Sequence, residues 1–74
     1  MKTYKITELT TGKTIIEKNH RGDKNAKNWL NSLMELGLIS GVAVQLQRRT
    51  MTDEQAATLP PFANGQKQSA WEIV

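Results

Sequence analysis

Apolar residues recur with helical spacing in one stretch of the chain, residues 23–38. Ala26, Trp29, Leu30, Leu33 and Leu36 fall at i, i+3, i+4, i+7 and i+10, which gathers them on one helix face and leaves Lys27, Asn28, Asn31, Ser32 and Glu35 to water. Asp23 or Asn25 is placed to accept a bond from a free N–H of the first turn, and Gly37 is placed to take the left-handed C′ position. Leu38 and Leu33 then become the pair that meets in a Schellman ending. A helix of ~14 residues is marginal alone in water, so its stripe must lie on flanking strands.

The flanks carry the shorter period of strands. Residues 4–9 (YKITEL) and 13–18 (KTIIEK) are rich in β-branched side chains, and Thr10-Thr11-Gly12 between them suits a hairpin loop. Tyr4 and Ile6 share one face while Lys5 and Thr7 take the other; Ile15 and Ile16 point opposite ways, so one of them is exposed or covered by a later segment. Residues 18–27 (KNHRGDKNAK) form a basic connection into the helix. After a Ser40-Gly41 turn, residues 42–49 (VAVQLQRR) alternate, with Val42, Val44 and Leu46 toward the helix and Ala43, Gln45, Gln47 and Arg49 away from it. Thr52 and Gln55 make a capping box for a turn or two of helix that Pro60-Pro61 stops. Phe62, before the Asn64-Gly65 turn, is expected to tuck over one end of the core. Residues 69–74 (SAWEIV) supply the last strand, with Trp71 and Ile73 expected inward beside Val44 and Leu46. The order is ββαββ: a small single α+β domain, a four-stranded antiparallel sheet with one helix packed on one face. All four aromatic residues then have core positions, which counts against stacking of bases on exposed rings.

Composition narrows the classes. Seventy-four residues make one domain with little room for a buried cleft, and a core of this size yields roughly 3–5 kcal/mol. There is no cysteine, hence no disulfide framework and no thiolate metal site. No run approaches the ~18 apolar residues of a membrane span, and Lys2 precedes no apolar stretch, so Met1 is read as the start of a cytoplasmic chain without membrane attachment. Charge is uneven: residues 1–28 carry seven Lys/Arg against three Asp/Glu and residues 29–74 carry three against four, together the net +3. A basic half favours an anionic partner, although a net charge of this size also simply keeps a small domain in solution.

Several short motifs dissolve on inspection. Gly12-Lys13-Thr14 copies the end of a phosphate-binding loop, but the first glycine of that pattern would fall at residue 7, which is Thr7, and the motif feeds a strand where it should open a helix. His20, the only histidine, has Asp23 as its one local carboxylate and reads as a solvated loop residue. Arg21-Gly22-Asp23 spells an adhesion tripeptide but serves the helix entry, and the Glu72-Ile73-Val74 terminus is better used as strand. The acidic residues do not cluster as metal ligands. No catalytic set, metal or cofactor is expected.

Three features point to recognition. Lys18, Arg21, Lys24 and Lys27, with His20, surround a helix N-terminus whose dipole favours an anion. Gln45, Gln47 and Arg49, with Arg48 beside them, line the outer part of the third strand, and Gln and Arg can read base edges from a sheet. The excursion through residues 51–68 is long for a domain of this size and suits docking. The expectation is a non-enzymatic binding module docking on a macromolecular partner, a host protein or complex that handles nucleic acid, as a monomer or a homodimer. Small accessory and inhibitor proteins of phages and mobile elements are of this scale, which is an analogy of size and polarity alone. The alternative is a direct DNA- or RNA-binding regulator using residues 18–27 and the outer face of strand 42–49. A third reading, a small enzyme or nucleotide binder, rests only on Gly12-Lys13-Thr14 and His20.

Overall fold

The computed structural model describes residues 1–39, 41 and 43–74. The expected inward position of Val42 and the Ser40 half of the Ser40-Gly41 turn lie outside the described residues. The elements are β1 (Lys2–Glu8), β2 (Thr14–His20), α1 (Asp23–Glu35), β3 (Val44–Arg49), α2 (Asp53–Thr58) and β4 (Trp71–Ile73). The strands form one antiparallel sheet in the order β2-β1-β3-β4 with α1 across one face, so the domain is α+β in ββαββ order, with the short α2 added between β3 and β4.

Tyr4, Ile6 and Leu46 point from the central strands into the core, where Ala26 of α1 and Ile39 meet them. Trp29, Leu30, Leu33, Val44 and Val74 pack around this centre. Gly12, with φ +73°, lets the β1–β2 loop close through the Gly12 N–H to Glu8 O bond at 2.8 Å. A register shift between Ile6 and Thr7 pairs Ile6 with Ile16 but Thr7 with Thr14, so Ile15 is the extra residue of a bulge. Both isoleucines end exposed, because β2 is an edge strand and α1 does not reach over this part of it.

Both ends of α1 are informative. At its C-terminus Gly37 N–H donates to Met34 O at 3.1 Å and Leu38 N–H to Leu33 O at 3.0 Å, the two bonds of a Schellman ending with Gly37 at φ +74°. At its N-terminus the cap is Gly22, with no side-chain cap bond, and not Asp23 or Asn25. Asp23 is instead the first helical residue, and its carboxylate is used elsewhere. Leu36 is 73% exposed, contrary to its place in the stripe. It sits at the stripe's margin, ten residues after Ala26, and once the Schellman turn reverses the chain Ile39 fills the core position.

The last strand has the opposite parity from that expected. Arg49 pairs with Trp71, Arg48 with Glu72 and Gln47 with Ile73, so Trp71 and Ile73 lie on the outer face with Gln47 and Arg49. The inner positions go to Glu72, which meets Arg48, and to Ala70 and Val74, which bury at either end. Thr50 N–H to Ala70 O at 2.8 Å and Val74 N–H to Leu46 O at 3.1 Å hold this register from both sides.

Candidate functional site

Asp23 stands where a negative charge suits the positive end of the α1 dipole. Tyr4 Oη donates to its Oδ1 at 2.6 Å and Arg48 Nη1 donates to its Oδ2 at 2.6 Å, while Arg48 Nη2 reaches Glu72 Oε1 at 2.5 Å. The bond from Tyr4, then that from Arg48, holds the Asp23 carboxyl below the usual carboxylate range. Burial, then the neighbouring Asp23, pushes the Tyr4 hydroxyl up, and Asp23 raises the Arg48 guanidinium. Arg48 is therefore spent inside the fold, tying β3 to α1 and β4, and is withdrawn from the contact residues expected of it. Its parity on β3, shared with Val44 and Leu46, is the physical reason.

The cations at the β2–α1 end are left over. Lys18 on β2, Arg21 in the turn, and Lys24 and Lys27 on the first two turns of α1 are all exposed, and Lys2 joins them through its pairing with His20. Among the described residues the ion pairs are made by Arg48 and by Arg49, which lies 3.5 Å from Asp53; none of these five cations makes one. Glu17, next to Lys18 in sequence, pairs with Lys5 on the opposite face of the sheet, and Asp23 is already occupied by Tyr4 and Arg48. Lys2 was passed over by reading the sequence linearly, since only the strand register brings it to this end.

His20 is not the solvated loop residue expected. It ends β2 and wedges between Tyr4 and Trp29, with ring centroids at 5.8 and 4.6 Å, and its Nε2 is buried with no partner. Burial, then the charge of Lys18, lowers its pKa, so the ring is held neutral.

The open face of the sheet carries the second surface. Lys5, Thr7, Gln45, Gln47 and Arg49 share it as expected, but Trp71 is among them. The indole lies under two cations, with Lys5 Nζ 4.2 Å and the Arg49 guanidinium carbon 4.4 Å from its centroid. A side chain from edge strand β4 thus reaches across β3 to one from β1. Gln47 Nε2 donates to Gln45 Oε1 at 3.2 Å, which leaves amide groups of both free toward solvent. Trp71 is the wall shared by two shallow concavities. One, ≈ 280 Å³, is floored by Thr7, Gln45 and Gln47; the other, ≈ 350 Å³, runs past Met51 to Phe62.

Phe62 is 55% exposed and does not cap the core. Its segment closes on itself: Phe62 N–H donates to Gln66 O at 2.9 Å and Gly65 N–H to Phe62 O at 2.8 Å, with Gly65 at φ +86°. That tight turn holds the ring at the surface. Two of the four aromatic residues are therefore outside the core, and the objection that no ring is available for stacking falls away. A signal was present in the sequence: Arg48 on the inner face of β3 needs a carboxylate opposite it, Glu72 is the one the last strand offers, and that pairing turns Trp71 outward.

Gly12-Lys13-Thr14 forms the hairpin end and opens β2, as its spacing indicated. Among the described residues, no three His, Asp or Glu side chains gather to hold a metal ion, and no helix is long and apolar enough to cross a membrane. No family model, curated protein or solved structure matches this chain, so its function has to be argued from the two surfaces themselves.

Proposed function

We propose that the chain is a non-enzymatic, cytoplasmic binding module that docks on a macromolecular partner presenting negative charge, a protein or complex that handles nucleic acid. The observation that carries this is the division of the cations. Arg48 is consumed by Asp23 and Glu72, whereas Lys2, Lys18, Arg21, Lys24 and Lys27 stand at one end of the molecule with no carboxylate paired to them. Like charges gathered without compensation raise the local potential and speed encounter with an anionic surface. The Tyr4–Asp23–Arg48 junction ties the start of α1 to β1 and β3 and so fixes how α1 presents Lys24 and Lys27 to a partner.

Affinity capture from host lysate, eluted along a salt gradient, tests this with wild type and Arg21→Glu/Lys24→Glu. A partner retained by wild type, released by moderate salt and lost by the double variant is the expected outcome, because exposed charge pairs are screened over a Debye length of about 8–10 Å. A partner held equally by both proteins removes the basic end from recognition.

A further inference from the structure

We infer that the open face of the sheet binds single-stranded nucleic acid, with bases received beside Trp71 and carried on toward Phe62. The inference goes beyond the reading above and rests on it only for the anionic character of what the chain meets: it places a second ligand, nucleic acid itself, on a surface other than the basic end. Four observations meet on this face. Its flat ring is presented at the edge of the sheet and not buried in the core. Two cations, Lys5 and Arg49, already lie within 4.4 Å of that ring; Arg49 is shared with Asp53 and the Met51 carbonyl, whereas Lys5 makes no ion pair among the described residues and is in reach of a phosphate attached to anything stacked there. The floor next to the ring carries the Gln45 and Gln47 amides, which both donate and accept and so can meet the edge of any base, over a buried Thr7 whose hydroxyl donates to Gln45 O; Glu8 also lines the concavity. A second exposed ring, Phe62, borders the next concavity along, which gives successive bases two platforms separated by one wall.

The cations on the indole do not block this use. A half-buried cation that water still reaches is held over an aromatic ring less strongly than a stacked base, so a base displaces Lys5 from the ring and the freed ammonium turns to the phosphate. Duplex is poorly suited to the same face, because its bases are already stacked on one another and cannot reach the indole. An acidic peptide would use the cations but neither the rings nor the amide floor.

The test is fluorescence anisotropy with a labelled single strand of roughly ten nucleotides, the matching duplex, and poly-glutamate as competitor, at about 50 and 200 mM salt, with far-UV circular dichroism on every variant. The single strand is expected to bind more tightly than the duplex, to quench tryptophan emission, and to weaken by about tenfold or more in Trp71→Ala, with partial recovery in Trp71→Phe. Gln47→Glu, which adds charge without removing a ring, is expected to weaken binding as well and is decisive should Trp71→Ala fold poorly. No binding at tens of micromolar, equal binding by Trp71→Ala and Gln47→Glu, preference for duplex, or equal competition by poly-glutamate overturns the inference. Loss of lysate capture in Arg21→Glu/Lys24→Glu together with any of those results leaves the basic docking end standing and removes the open face alone.

Discussion

Asp23 and Arg48, 25 residues apart in the chain, meet at 2.6 Å and join the start of α1 to the third strand. Tyr4 completes the junction from beneath, with its hydroxyl 2.6 Å from the same carboxylate. Tyr4→Phe keeps the ring in the core and removes one hydrogen bond to a charged group; because water reaches Asp23, the loss of stability is expected to be smaller than for the same bond shielded from water. A carboxyl held below its ordinary value of 3.8 contributes stability above that pH and loses it as the pH falls through the lower folded value. Acid unfolding of wild type should therefore steepen below pH 3.8, and Asp23→Asn should flatten that limb while lowering stability at neutral pH. Thermal melts across the acid range measure both.

The half-buried imidazole of His20 gives a second pH dependence, of opposite chemical origin. His20 is depressed below 6.5 by burial and then by Lys18, so protonation is taken up by the unfolded chain first. Stability is complete above 6.5, declines as the pH falls below it, and levels off once the folded ring also titrates. His20→Phe, which keeps a ring between Tyr4 and Trp29, should remove the decline. Melting curves at about pH 5 and pH 7.5 for the two proteins, with the His20 ring titration followed by NMR, check the direction.

The two tryptophans should behave differently. Trp29 packs against the core and against His20, and Trp29→Ala is expected to cost about 3–5 kcal/mol, enough to unfold a domain this small. Trp71 contributes contacts with two half-buried cations, and Trp71→Ala should cost about 1–2 kcal/mol. Urea unfolding separates the cases; equal losses would mean that Trp71 is a core residue.

Helix ends give the most local predictions. Gly37→Val forces a β-branched residue to φ +74° and should cost about 1–3 kcal/mol, although nothing crowds the added carbon. Thr52 Oγ1 accepts from Gln55 N–H at 3.1 Å and Gln55 returns the bond to Thr52 N–H, so Thr52→Ala should fray α2 at a cost of about 0.5–2 kcal/mol. Hydrogen exchange at the α2 amides reports the second more sensitively than global melting.

Local chemistry was legible in the sequence and long-range parity was not. The Schellman ending at Gly37, the Thr52 capping box and the inward faces of β1 and β3 follow from spacing alone, because each is decided within a few residues. β4 was misread because Trp71 and Ile73 are the larger apolar residues, and size outweighed the ion pair that places Glu72 against Arg48. In a strand of three residues there is too little periodicity to overrule such a guess, and a single step in register exchanges the faces. The basic end was visible as a run of charge, yet its content changed: Lys2 entered through pairing with β2, and Arg48 left through its bonds to Asp23 and Glu72. His20 was judged by its polar neighbours in sequence, when its neighbours in space are two rings.

Amide and indole chemical-shift mapping during titration with a short single strand at low salt tests the central claim most directly, that recognition uses what the core and its ion pairs leave unspent. The account predicts shifts confined to Lys2, the 18–27 segment and the open sheet face, with the Trp71 indole N–H among the most displaced and the Trp29 indole unmoved. Shifts centred on the exposed Met34, Leu36 and Leu38 at the end of α1, with the basic end and Trp71 silent, would contradict it.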